Sequence, residues 1–228
     1  MHHGVRYLLV LEYNLSFYKP LKTTYLTNMS KKLLLLFFCS GISAIIYQVI
    51  WQRVLFASFG TNIEAITIIV SVFMFGLGVG SLFGGKLANT SSKKLLYYFI
   101  FFEIAIGIFG LVSIQLIEYV GHITLKLGGS WLPLVVFCIL FIPTLAMGAT
   151  LPVLVSYLFK ERKSVGDTVS HLYYINTLGS AVGSLLTVAV LFVIGTLQTT
   201  IYVAVTINFM IALITFTGIQ KKRLGYEN

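Results

Sequence analysis

Six long apolar stretches separated by short polar segments dominate the pattern of this chain. They cover about residues 33–54, 63–87, 95–120, 131–159, 169–194 and 199–219. Each stretch reaches the roughly 20 residues that an α-helix needs to cross the hydrocarbon core of a bilayer. No proline or glycine divides any of them into two spans. The pattern therefore predicts an all-α, polytopic membrane protein with six transmembrane helices.

The composition agrees with a membrane location. Hydrophobic residues make up 57% of the chain and charged residues 10%, with a mean hydropathy of +0.93, whereas soluble domains carry about 25% charged residues. A formal charge of +9 would suggest nucleic acid as the partner of a soluble chain. Here the basic residues fall mostly in short loops, so we expect the partner to be the lipid bilayer and not nucleic acid.

The distribution of lysine and arginine predicts the orientation. Fourteen of the sixteen basic residues lie in the N-terminal segment, in the second and fourth loops and at the C-terminus, while Arg53 and Lys126 lie on the other side. The positive-inside rule then places both termini in the cytoplasm. We expect a cytoplasmic tail or start-site extension over 1–28, a membrane domain over 29–220 and a short basic cytoplasmic tail over 221–228.

The fourth apolar stretch contains two interior prolines, Pro143 and Pro152. Interior prolines predict a kinked transmembrane helix, because neighbouring helices and hydroxyl side chains satisfy the carbonyls that proline leaves free. Thr144 and Thr150 are placed for that role. The Asn176–Thr177 pair of the fifth helix is a further candidate, and it would join the two helices.

Glycines at helical spacing mark the second and fifth helices. Their positions are Gly76, Gly80 and Gly84 in the second helix and Gly179 and Gly183 in the fifth. Such stripes let another helix backbone approach closely. The shared pattern fits two three-helix repeats of inverted topology, the plan of one half of a major-facilitator-type transporter; ordinary bundle packing is the alternative. We expect a second copy or a partner to complete the pore by contacting these glycine faces.

Glu103 is the one acidic residue well inside an apolar stretch, about two turns into the third helix. An ionisable group there is costly unless it is paired or hydrated, which makes it a candidate substrate- or ion-binding residue. Its expected partners are Asn176 and His171 of the fifth helix, or Lys93 and Lys94. Cation binding or proton coupling is the functional interpretation, and hydrogen bonding to a neighbouring helix is the structural one.

The outer half of the first helix offers further binding candidates. Gln48 and Gln52 are four residues apart and share a helix face with amide groups that would line a cavity. Tyr47 is a candidate as well, and the alternatives for it and Trp51 are an interfacial aromatic belt or helix packing. In the fifth helix, Asn176–Thr177 is the matching binding candidate.

Arg53 and Glu64 are spaced to form an outer salt bridge across the first hairpin, as a cap or as a substrate gate. Cys39 and Cys138 lie near opposite faces on this topology, so no disulfide is expected. The sequence contains no nucleophile–base pair, metal-ligand cluster or phosphate loop. We therefore expect no cofactor, no metal and no catalytic residues.

Four segments in register carry a resemblance to a known family: Ser40–Arg53, Phe73–Ser81, Met147–Pro152 and Tyr174–Gly179. In this order they resemble the membrane-embedded N-terminal region of the fused major-facilitator/spermidine-synthase-like proteins of prokaryotes. The resemblance covers about residues 30–219.

The resemblance implies a transporter-like half in a prokaryotic cytoplasmic (inner) membrane. It would bind or move a small solute, with cationic, polyamine-like solutes among the candidates. In that family a soluble aminopropyltransferase-like domain usually follows, but this sequence has no glycine-rich strand–turn–helix with a downstream acid, so we do not expect an enzyme. The alternative is a non-transporting membrane anchor or subunit for a separately encoded aminopropyltransferase or methyltransferase, its soluble synthase-like partner.

Overall fold

A computed structural model describes residues 28–59, 62–126, 131–162 and 164–223, which are almost entirely helical and contain no strand. The helices are α1 (Asn28–Phe59), α2 (Asn62–Leu87), α3 (Ser92–Lys126), α4 (Leu132–Arg162), α5 (Val165–Leu186) and α6 (Leu197–Arg223). A π-helical turn, Thr187–Leu191, and a last helical turn, Phe192–Ile194, continue α5. The N-terminal tail up to residue 27 and the end of the C-terminal tail, residues 224–228, lie outside the described residues.

Six helical segments are long and apolar enough to cross a membrane. They are Ser30–Ala57, Ile66–Leu87, Ser92–Thr124, Leu132–Phe159, Val165–Ile194 and Leu197–Lys221. The predicted all-α, six-helix membrane fold is therefore confirmed. Most of the helices extend past the apolar stretches, because backbone hydrogen bonding continues into the polar residues that flank a membrane span.

The helix pairs follow a regular pattern. The most extensive contacts join α2 with α4, α1 with α5 and α3 with α6, followed by α3 with α4 and α1 with α6. Exchanging helix 1 with 4, 2 with 5 and 3 with 6 converts every one of these pairs into another pair of the same set. This is the contact pattern that two three-helix repeats predict.

The glycine stripes pack inside the chain. The three α2 glycines, Gly76, Gly80 and Gly84, lie against α4, where added Cβ atoms would meet atoms of Thr144, Leu145 and Ala149. The α5 glycines do the same against α1. An added Cβ at Gly179 would meet the carbonyl oxygen of Phe38, and one at Gly183 would meet the backbone of Ile42. The prediction that these faces contact a second copy is therefore wrong, because helices of the same chain already occupy them.

The two prolines lie within one continuous helix, α4. The hydroxyl of Thr144 donates to the carbonyls of Leu140 and Phe141, and that of Thr150 to the carbonyl of Met147. These are not the carbonyls four residues before the prolines, because a threonine hydroxyl reaches back three or four residues from its own position. The expected role of the two threonines at the freed carbonyls is therefore wrong.

The expected bond from Asn176 to α4 is also wrong. Its side-chain nitrogen donates to the carbonyl of Phe37 at 3.1 Å, and Ser180 donates to the carbonyl of Gly41 at 3.2 Å. Both acceptors belong to α1. The polar residues of α5 thus join α5 to α1, in the same interface as Gly179.

Candidate functional site

A chain of buried hydrogen bonds crosses the middle of the molecule. The carboxyl group of Glu103 in α3 is fully buried, and its Oε1 accepts the hydroxyl proton of Ser40 in α1 at 2.8 Å. Its Oε2 accepts from the side-chain nitrogen of Asn208 in α6 at 2.6 Å. The oxygen of the same amide accepts from the hydroxyl of Tyr47 at 3.0 Å. We call Ser40, Tyr47, Glu103 and Asn208 the buried polar network.

The partners expected for Glu103 from the sequence are wrong. The side chain of Asn176 donates to a carbonyl of α1, and the Nδ1 of His171 lies 3.1 Å from the Oδ1 of Asp167 on its own helix. Lys93 and Lys94 lie in the first turn of α3, more than two turns before Glu103. Ser40 and Asn208 were not among the sequence candidates, although an asparagine within an apolar stretch is itself an indication of a buried polar contact.

The charge on Glu103 has no counter-ion among the described residues. Both of its side-chain partners, Ser40 and Asn208, are neutral. An uncompensated carboxylate in a low-dielectric interior costs several kcal/mol, on the order expected for a single buried ion. The network therefore favours the arrival of one positive charge, carried by a proton or by a cation.

A cavity of about 280 Å³ lies beside this network, with residues of all six helices in its wall. Ser40 and Asn208 belong to both the wall and the network, so they connect the cavity with Glu103. The remaining polar wall residues among those described are Ser43, Gln48, Ser81, Thr150, Tyr173, Asn176 and Ser180. We call this space the central cavity.

We infer an opening of the central cavity between α2 and α5. Leu77 and Ser81 line it from α2, and Tyr173 and Ser180 line it from α5. These two helices do not pack extensively on one another. Tyr173 is 64% exposed, as expected for a residue at the opening.

The structure separates the predicted binding residues into three groups. Gln48 and Asn176 line the central cavity, whereas Gln52 and Thr177 are not among its wall residues. Tyr47 belongs to the buried polar network. Neither Tyr47 nor Trp51 has any exposed surface, and the two rings stack with their centroids 5.3 Å apart. Of the two alternatives for these rings, packing is therefore confirmed and the interfacial belt is wrong.

Arg53 has an aromatic partner. Its guanidinium carbon lies 3.9 Å from the centroid of the Phe192 ring, directly after the π-helical turn of α5. The predicted salt bridge with Glu64 falls on a side chain outside the described residues. The contact joins the C-terminal part of α1 to the C-terminal end of α5.

Comparison with protein-family models, curated proteins and solved structures gave no match. In the described part of the chain, no group of three or more histidine, cysteine, aspartate or glutamate residues is placed to hold a metal ion. The central cavity and the buried polar network are therefore the observations from which function is inferred.

Proposed function

We propose that this chain is a transporter-like half of the spermidine-synthase-like membrane family and that it binds or moves a small solute in the central cavity. The observation that carries the proposal is a cavity at the meeting point of six membrane helices, with a buried carboxylate directly behind its wall. Ionisable groups in membrane interiors mark substrate or ion pathways. Solute and ion sites near the midplane, at the interface of two repeats, are typical of transporters.

The proposal assigns binding and not catalysis to the chain. Ser40 and Asn208 would contact the solute, and the negative charge of Glu103 directly behind them would attract a positively charged solute. Gln48 and Asn176 would contact the solute from other parts of the cavity wall. With binding as the assigned role of these groups, the proposed protein is a carrier and not an enzyme.

The direct test is uptake into proteoliposomes of a labelled panel of polyamines, monoamines and amino acids. We expect Glu103→Gln to lower uptake of the transported solute by about tenfold or more, the size typical of a lost buried charge contact. Glu118→Gln is the matched control, because Glu118 lies on the same helix and is exposed. Equal uptake by the two variants would remove Glu103 from the mechanism. A folded protein that takes up nothing on the panel would favour the membrane-anchor alternative.

We further propose that a second copy covers the open side of α2 and α5. The most apolar windows of α2 and α5 are 28% and 17% buried, compared with 44–50% for the other four helices. Gly78 and Gly85 of α2 have nothing within 4 Å of an added Cβ, so this face of α2 is free for close approach. The surface differs from the glycine stripes that pack within the chain.

Cysteine cross-linking in membranes tests the second copy. In a background without Cys39 and Cys138, we expect Gly78→Cys to give a cross-linked dimer. Val112→Cys on α3, at a position 52% exposed, serves as the control for random collisions. Equal cross-linking at the two positions would contradict the proposed interface.

A further inference from the structure

We infer that the ligand of the central cavity is a small organic cation with one ammonium group on an apolar body, and not a polyamine. The inference rests on the proposed function and names its ligand class. It depends on two observations: the direction of the hydrogen bonds in the cavity wall, and the number of charges near the cavity.

The serine and threonine hydroxyls of the wall donate their protons to other groups of the protein. Ser40 donates to the carboxylate of Glu103, Ser43 to the carbonyl of Ser40, and Ser81 to the carbonyl of Gly78. Carbonyl oxygens only accept, and the carboxylate of Glu103 accepts in its ionised form, so the direction of these bonds follows from the chemistry of the acceptors. Each hydroxyl therefore presents only lone pairs to a ligand.

The same holds on the opposite walls. Thr150 of α4 donates to the carbonyl of Met147 at 2.7 Å, and Ser180 of α5 donates to carbonyls of Gly41 and Asn176. Five wall hydroxyls in the described part of the chain are thus acceptors toward the cavity. A ligand rich in N–H donors matches such a wall, whereas a carboxylate or phosphate would face lone pairs. An ammonium group supplies three donors.

The number of charges limits the ligand to one ammonium group. None of the wall residues in the described part of the chain carries a charge, and Glu103 is the one carboxylate in the buried polar network. The other described acids, Glu118 and Asp167, are exposed or partly exposed and do not line the cavity. A polyamine would bring further ammonium groups without a counter-charge, each costing several kcal/mol in an apolar surrounding, on the order of an isolated buried ion.

The remaining wall fits an apolar body. Phe37, Phe73, Ile106, Met147 and Leu151 contribute large apolar side chains from four helices. The volume of about 280 Å³ lies at the small end of ligand cavities, which span roughly 300–1,000 Å³. The ammonium group would lie at Ser40 and Ser43, next to Glu103, with its apolar part against these residues.

The test is calorimetric titration of the purified full chain in nanodiscs with four probes: hexylammonium, hexanol, hexanoate and spermidine. We expect hexylammonium to bind saturably and at least about tenfold more tightly than the other three, the scale of a single compensated charge. Glu103→Gln should abolish this preference, and Glu118→Gln should retain it. Ser43→Ala, which leaves the carboxylate bonded, should weaken hexylammonium binding several-fold and guards against misfolding of the Glu103 variant.

Each contrary result has a distinct meaning. Tighter binding of spermidine than of hexylammonium, with the same dependence on Glu103, would overturn the inference that the ligand carries a single ammonium group. The proposed function would still stand. Equal or tighter binding of hexanol or hexanoate would overturn the ammonium group and leave the cavity as a binding site. Binding of none of the probes to the folded parent protein would overturn the inference, while the proteoliposome panel separately decides the proposed function.

Discussion

Asn208 is the residue on which the buried polar network depends, because its amide bonds both Glu103 and Tyr47. Its nitrogen donates to Glu103 and its oxygen accepts from Tyr47. We expect Asn208→Leu to lower the free energy of unfolding by about 2–6 kcal/mol, since the Tyr47 hydroxyl and the Oε2 of Glu103 each lose a buried hydrogen bond at a cost of roughly 1–3 kcal/mol.

The measurement is the reversible unfolding of the purified protein in mixed micelles. Thr206→Val on the same helix is the control, because Thr206 is exposed and bonds only within α6. We expect its effect to stay within about 0.5 kcal/mol, as for most surface substitutions. Similar effects of the two substitutions would contradict the structural role of the network.

Prediction at the residue scale succeeded for residue type and failed for pairing. Glu103 stands out because an acid inside an apolar stretch needs a reason. Its partner Asn208 lies 105 residues away in sequence, and no local pattern shows which helices are neighbours. The fully buried Tyr47 and Trp51 illustrate the same limit, because residue type alone does not distinguish a belt from a core.

The glycines of α2 give a matched pair at the scale of elements. An added Cβ at Gly80 would meet the backbone of Leu145, whereas nothing lies within 4 Å of one at Gly78. We expect Gly80→Ala to destabilise the protein by about 1–3 kcal/mol, because the α2–α4 interface is overpacked. In the monomer, Gly78→Ala should be neutral or slightly stabilising, since alanine has the better helix propensity. The unfolding midpoints of the two variants in mixed micelles check this, and equal midpoints would contradict it.

The contact between Arg53 and Phe192 holds the end of α5 after its π-helical turn. Cation–π contacts are worth roughly 0.5–2 kcal/mol, depending on exposure. We therefore expect Phe192→Leu to increase hydrogen–deuterium exchange of the segment 187–194, as followed by mass spectrometry. Val193→Ala is the control at a residue 75% exposed. Unchanged exchange in the Phe192 variant would show that the contact does not stabilise this end.

Elements were the most predictable scale. Six apolar stretches gave six helices, because length and hydropathy are properties of one segment. The spacing of the glycines indicated close helix packing but not its partner, which turned out to be α4 or α1. The π-helical turn in α5 was not predicted, since five residues of widened hydrogen bonding leave no distinct hydrophobic period.

At the scale of the whole molecule, six spans place the two ends of the described segment on the same side of the membrane. The charge distribution predicts that this side is the cytoplasm. We expect fusions of green fluorescent protein after Arg223 to be fluorescent and alkaline phosphatase fusions there to be inactive. An alkaline phosphatase fusion after Lys126, at the end of α3, should be active. An active phosphatase after Arg223 would contradict the orientation.

The exchange pattern of the helix pairs has a consequence for biosynthesis. α1 emerges from the ribosome first, yet its main neighbours, α5 and α6, are made last. Until α6 is made, Ser40 and Glu103 lie in lipid or in the insertion machinery, and Glu103 lacks its hydrogen bond from Asn208. A nascent chain halted before α6 would carry Glu103 without the Asn208 partner of its Oε2. The buried polar network is thus completed only when α6 has entered the bilayer.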